Sequence, residues 1–306
     1  MAMIFDYPLK HGSLSYKKQE DGTILIDSYR GKDTEIQVPD SIAGMPVTII
    51  GKKAFLGAAE LVTLTLPSDV KVLEDYAFAG CERLKAVYLP YGRVSLGRGV
   101  FQNCDHLEAI HNCVETEKRG KKEEDLAYLL VATTGILEAP YLFDLSSSFD
   151  DDWWELWDRR MESKIQMDDA EGFQNMLLCG EEDYGSKETD FDYYKHLKRL
   201  AKVKILILRL MHDYALAEEK RDMARTYLLA HCKGCPSEET WDVILQEHSD
   251  DKRYFDFLFS LGGVTKENYE GMLLDLGDRH TEMKAHLMKY YERTFGAEDA
   301  FSVFAL

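Results

Sequence analysis

Apolar residues recur along the first third of the chain at a fixed interval that is neither helical nor a simple strand alternation. Phe55, Phe78 and Phe101 are evenly spaced, and Ile50, Leu73 and Leu96 keep the same spacing, as do Leu61, Leu84 and Leu107. Within each interval a short alternating run places apolar side chains inward and their neighbours outward. The runs read Leu61-x-x-Leu64-x-Leu66, Leu84-x-x-Val87-x-Leu89 and Leu107-x-x-Ile110-x-Asn112. A unit of this length cannot bury its own apolar face, so it must stack on its neighbours, Phe55 on Phe78 and Phe78 on Phe101. Each such ring contributes about 1.5–3 kcal/mol by burial.

The period and the L-x-x-L-x-L runs predict a leucine-rich-repeat β-solenoid over 34–112. Ile36-x-Val38-Pro39 matches Leu64-x-Leu66-Pro67 and Leu89-Pro90 one coil later, the first coil being longer around Ala43-Gly44-Met45-Pro46. Upstream, Leu14-Ser15-Tyr16 and Ile24-Leu25-Ile26 flank an Asp21-Gly22 turn, a hairpin signal. Residues 1–33 are thus expected to cap the solenoid. After Cys113 the repeat fails in a charged stretch, and the apolar, β-prone run 126–134 is expected to be the strand that closes the array. Outward positions on the repeat strands include Thr63, Thr65, Tyr88 and His111, the candidate ligand-binding face.

Beyond Pro140 the period becomes helical. Trp153, Trp157 and Met161 share one helix face, and residues 191–213 form a long helix that is apolar nearly all round through 203–211. A second repeat relates Ser237-x-x-x-Trp241-x-x-Ile244-Leu245 to Thr265-x-x-x-Tyr269-x-x-Met272-Leu273, with Ser237 and Thr265 as helix caps. The expected class is α+β and multidomain: a leucine-rich-repeat domain over 1–140, then an all-helical, α-solenoid-like domain over 141–306.

The N-terminal units resemble the bacterial BspA-like leucine-rich repeats. The pattern is carried by Ile50-Gly51, Ala54-Phe55, Leu61 and Pro67, then by Ala77-Phe78, Cys81-x-x-Leu84 and Pro90. A third unit supplies Leu96-Gly97, Phe101 and Cys104-x-x-Leu107. Departures are Glu74 at a Gly position, Ala58 at a Cys position, Val100 for Ala, and Asn112 ending the last run, where the array is expected to stop. The resemblance implies adhesion or protein recognition, often at cell surfaces, and brings no catalytic residues with it.

Charge narrows the partner. Net charge is −18; residues 1–112 carry 12 Lys+Arg against 14 Asp+Glu, and the rest 25 against 41. Residues 138–192 alone hold 17 acidic and four basic side chains, a field that repels nucleic acid and acidic membranes. The basic run Lys195, Lys198, Arg199, Lys202, Lys204 is expected to pair internally with acidic segments such as Glu181-Glu182-Asp183 or Asp150-Asp151-Asp152. Residues 126–137 are the longest uncharged apolar stretch, too short to span a bilayer. No secretory leader is visible, so a soluble, cytoplasmic protein is expected. Six scattered cysteines then read as reduced thiols, with Cys81 and Cys104 in a small apolar repeat slot.

Candidate chemistry is sparse. His231-Cys232-x-x-Cys235 has metal-ligand spacing but lacks the second pair that zinc requires, His212 and His248 being arbitrary completions, so no metal or cofactor is expected. Asp150-Asp151-Asp152 beside three tryptophans could serve a glycosidase or sugar site, but consecutive helix residues point apart, and a core role for the tryptophans is preferred. The expected function is non-catalytic recognition of a protein or peptide. The alternatives are an enzyme or metal protein with its site in the helical part, and a surface adhesin.

Overall fold

The computed structural model describes residues 3–90, 92, 94–113, 120–143, 151–173 and 191–302. Asp150, the 180–186 acidic loop, Cys179 and the Glu181-Glu182-Asp183 segment lie outside them. Chain contacts divide the molecule into two compact units, one of residues 1–161 with 212–215, the other of 162–211 with 216–306.

The first unit is built from strands β1 (Ile4–Pro8), β2 (Gly12–Lys18), β3 (Ile24–Gly31), β4 (Glu35–Gln37), β5 (Ser41–Ile42), β6 (Met45–Ile50), β7 (Thr63–Thr65), β8 (Val72–Leu73), β9 (Ala86–Pro90), β10 (Ser95–Leu96) and β11 (Ala109–Cys113). They make two sheets, ordered β1-β2-β3-β6-β8-β10 and β11-β9-β7-β4. The second sheet is wholly parallel, and its register is the sequence period itself. Glu35 faces Thr63 across the longer first coil, and then Thr63 faces Ala86 and Ala86 faces Ala109 in two equal steps. The result is a β-solenoid of about four turns.

On the side between the sheets each coil turns through a bend whose backbone bonds the next coil. Phe55 N donates to Ala77 O at 2.8 Å and Phe78 N to Val100 O at 3.0 Å. This brings the rings into a stack with centroids 5.4 Å apart for Phe55 and Phe78 and 5.6 Å for Phe78 and Phe101. The stack extends past the repeats, to Tyr29 at 5.5 Å on one end and Phe143 at 6.5 Å on the other. Cys81 Sγ donates to Phe55 O at 3.2 Å and Cys104 Sγ to Phe78 O at 3.1 Å, so in these two coils the small slot also supplies a donor, which Ala58 in the first coil does not. The Cys104 side chain and burial together push the Cys81 thiol up, and it stays protonated. At Gly97 a Cβ would come within 2.5 Å of Asp75 N, so the coil backbones can approach only without a side chain there.

The cap forms as the Asp21-Gly22 signal predicts. β2 and β3 pair antiparallel, Gly22 adopts φ of 79°, and β1 adds an edge strand. β3 then pairs parallel with β6 and so joins the cap to the first coil. The other end differs from expectation. Residues 126–134 are not a closing strand but the body of helix α1 (Lys121–Thr134). The physical reason lies just upstream: Glu123 Oε2 accepts from Gly120 N at 3.0 Å, a cap that starts a helix and carries it through the apolar run. An uncharged run of that length has no period to separate strand from helix. α1 packs on β11 and on a 3₁₀ turn (Pro140–Phe143), covering the last coil.

Helix α2 (Asp151–Gln166) buries Trp153, Trp154, Trp157 and Met161. Trp153 Nε1 donates to Leu142 O at 2.7 Å and Trp157 Nε1 to Leu129 O at 3.3 Å, which makes these rings core and places them behind α1. Asp125, also buried, accepts from Tyr214 N at 2.8 Å and faces His212 Nδ1 at 3.2 Å, tying the 212–215 segment to α1.

The second unit comprises α3 (Phe191–Met211), α4 (Glu218–Ala230), α5 (Glu239–Glu247), α6 (Lys252–Leu261), α7 (Tyr269–Leu276) and α8 (Thr281–Ser302). α3 buries Val203, Ile205, Leu206 and Ile207 and packs on α4 and α5. The helical repeat is visible in the core, where Ile244 and Met272, and Phe255 and Met283, occupy equivalent buried positions. At α5 the residue at the cap position is Glu238 rather than Ser237. Thr265 caps the turn leading into α7 as expected, through a reciprocal pair with Asn268: its N donates to Asn268 Oδ1 at 2.8 Å, and its Oγ1 accepts from Asn268 N at 3.3 Å.

Candidate recognition surface

The strand alternation that buries Leu64, Val87 and Ile110 turns the flanking residues out on the β11-β9-β7-β4 sheet. Register gathers them into two rows crossing the four coils. Gln37 faces Thr65, Thr65 faces Tyr88 and Tyr88 faces His111 in one row. In the other, Glu35, Thr63, Ala86 and Ala109 are aligned. All four residues expected from sequence, Thr63, Thr65, Tyr88 and His111, therefore share one face and are half-buried. The Tyr88 and His111 rings are stacked with centroids 4.7 Å apart and planes at 22°, an aromatic end to the face. The opposite end is polar, with Glu35 and Gln37 exposed.

Glu35 and Gln37 are not among the sequence candidates. The signal for them is the longer first coil, which aligns them with Thr63 and Thr65. Next to the rows, Lys85 Nζ and Glu108 Oε1 stand 3.4 Å apart and Arg83 Nη1 is 2.6 Å from Glu60 Oε2, ion pairs that join successive coils. Asn112 takes the inward position that Leu89 holds one coil earlier. Its Nδ2 and Oδ1 are buried with no hydrogen-bond partner among the described residues, an ending for the leucine ladder.

Other candidates fall elsewhere. His231 Nδ1 lies 2.8 Å from Tyr227 O and the ring stacks on Tyr227 at 4.2 Å, while Cys232 is buried in the helical core. No group of three or more His, Cys, Asp or Glu that could hold a metal ion occurs among the described residues. His248 stacks on Tyr254, and burial pulls its pKa down from 6.5. Among the described residues the basic run of α3 is paired internally, while the expected partners Glu181-Glu182-Asp183 and Asp150 lie outside them. Lys195 meets Asp192 at 2.6 Å, Arg199 and Lys202 both meet Asp169 at 2.7 Å, and Lys204 meets Glu247 at 2.5 Å. Glu239, 2% exposed, has Oε1 3.1 Å from His196 Nδ1 and 3.7 Å from Arg199 Nη1. Sequence does not reveal this network, because its members come from segments far apart in the chain with no common interval.

The repeat family agrees with this architecture. Residues 31–121 match the BspA type leucine rich repeat region in six copies. The chain is similar to the crystal structure of a Leucine Rich Repeat protein of T. pallidum, with 34% identity over 35% of this chain and 49% of that one, TM-score 0.32. It is also similar to a leucine-rich repeat protein from Bacteroides capillosus ATCC 29799, with 26% identity over 37% of this chain and 86% of that one, TM-score 0.32. Against the first of these it spans about half the length, 49%. No curated protein matches the chain. The N-terminal part of the chain, residues 31–121, is thus a leucine-rich-repeat region of the BspA type.

Proposed function

We propose that the chain is a non-catalytic recognition module that takes a protein or peptide on the β11-β9-β7-β4 face, through Thr63, Thr65, Tyr88 and His111. The reading is carried by register: one row of facing residues runs unbroken from Gln37 to His111 and changes from polar to aromatic along its length. A repeat family of this kind suggests protein interaction. Stacked, half-buried aromatics present large rigid contact area at little conformational cost, the type of residue that anchors interfaces. A standard interface buries about 800 Å² on each partner, so the partner must also engage surface beyond the two rows.

The test is quantitative affinity capture from native lysate. It compares wild type with a triple variant carrying Thr65→Ala, Tyr88→Ala and His111→Ala, which strips the face without touching the buried ladder. Bound partners should fall about tenfold or more in the triple variant, the loss expected for removing hot-spot aromatics, while its thermal unfolding stays near wild type. Undiminished capture overturns the face as the site.

We also propose that the protein works in the cytoplasm. Support comes from Cys81 and Cys104, buried as free thiols that donate to backbone carbonyls. No helix among the described residues is long and apolar enough to cross a membrane. Cell fractionation tests the compartment, and recovery on the cell surface would instead favour display as an adhesin.

A further inference from the structure

The turn after α4 holds two thiols that the recognition reading does not use. Cys232-Lys233-Gly234-Cys235 form a tight turn closed by Cys235 N donating to Cys232 O at 3.1 Å. Gly234 sits third in it with φ of 89°, a left-handed conformation that such a turn reserves for glycine. A turn of this kind keeps its first and fourth Cα atoms within about 7 Å. A disulfide spans Cα separations of about 4.4–6.8 Å, a range that overlaps the spacing this turn imposes on the two cysteines.

The two sulfurs differ in setting. Cys232 is 4% exposed in the helical core, against Gly263, where even a Cβ would come within 3.1 Å of its Sγ. Cys235 is partly exposed and its Sγ donates weakly to Leu229 O at 3.5 Å, so it is the sulfur that a small oxidant in water meets. The turn also joins the two helical repeats. Lys233 Nζ reaches both Glu238 and Asp275 at 2.9 Å, and Asn268 Nδ2 donates to Lys233 O at 3.1 Å.

We propose that Cys232 and Cys235 are a redox pair that closes to an intramolecular disulfide across this turn when a peroxide oxidises Cys235. The Cys235 thiolate attacks hydrogen peroxide; an S–O bond forms, the O–O bond breaks and hydroxide leaves, giving a sulfenic acid. The Cys232 sulfur then attacks that sulfenic sulfur; the S–S bond forms, the S–O bond breaks, and the Cys232 proton departs in water. Two thiols lose two electrons and the peroxide is reduced to water. Burial and the neighbouring Cys235 push the Cys232 thiol up to about 12, so closure quickens as pH rises through the alkaline range. Closure fixes the turn on which the Lys233 and Asn268 contacts converge.

The experiment treats the reduced full chain with hydrogen peroxide, blocks residual thiols with iodoacetamide, and maps tryptic peptides without reduction. The expected product joins residues 226–233 to 234–252 and is lighter than the reduced pair by two hydrogen atoms. It disappears on adding dithiothreitol and does not form in Cys235→Ser. In Cys232→Ala the sulfenic acid cannot be resolved within the turn, so dimedone should label Cys235 at least about tenfold more than in wild type, given the rate advantage of a tethered nucleophile. Recovery of Cys235 from wild type as the alkylated thiol, as sulfinic acid, or joined to Cys113 or Cys179 overturns the proposal.

Discussion

Phe78 occupies the middle of a ring stack that starts at Tyr29 and ends at Phe143, with a neighbour on each side at 5.4 and 5.6 Å. It is wholly buried, whereas Phe101 at the next coil is half-buried. Phe78→Ala should therefore cost about 3–5 kcal/mol, the range for truncating a buried ring where the surroundings cannot collapse. Phe101→Ala should cost less, because part of that ring already meets solvent. Urea unfolding of the two full-length variants separates them, and equal losses would mean that the stack is not what holds the coils together. Cys81 makes a related point about residue choice. The slot is small, but the thiol also reaches Phe55 O at 3.2 Å, which an apolar residue of similar size could not do.

At the level of elements, α3 is held by charge as well as by its apolar stripe. Lys202 Nζ donates to Met167 O at 2.6 Å and to Asp169 Oδ1 at 2.7 Å, and Arg199 Nε donates to Asp169 Oδ2 at 2.7 Å. Burial raises the Asp169 pKa, but the Lys202 and Arg199 hydrogen bonds outweigh it and hold the group below its ordinary 3.8. The folded chain thus binds this proton less readily than the unfolded chain. The stabilisation is present in full above pH 3.8 and is lost as pH falls from there through the lower folded value. Asp169→Asn should accordingly be less stable than wild type at pH 7, with the gap narrowing as pH drops below 3.8. Urea titrations at several pH values measure that gap, and a gap independent of pH would contradict the pairing. Asp169 also marks the limit of what sequence discloses. The solenoid is legible because its contacts repeat at one interval, so Phe55, Phe78 and Phe101 announce one another. The α3 network has no such interval, and the apolar run of α1 has no charged position to betray its period, which is why it reads as a strand.

For the molecule as a whole, the division of the chain does not follow the change from β to helical sequence near Pro140. The first unit extends to Met161 and takes in 212–215 as well. The physical content of that extension is specific. Trp153 and Trp157 are buried and donate to Leu142 O and Leu129 O, and Asp125 is buried with its carboxylate on Tyr214 N. A fragment ending at residue 140 keeps every coil of the solenoid but removes Trp157 from the Leu129 carbonyl, baring the α1 surface around Leu129, and leaves Asp125 without its backbone donor. Burying a carboxylate without that partner is costly, and bare apolar helix surface promotes association. The fragment 1–140 should therefore bind a hydrophobic dye and aggregate. A fragment ending at residue 166 regains the tryptophan face and should bind less dye, while still falling short of the full chain, which alone supplies 212–215. Size-exclusion chromatography with dye fluorescence ranks the three. If 1–140 is monomeric and as stable as 1–166, then α2 does not complete the first unit, and the repeats with α1 suffice to close it.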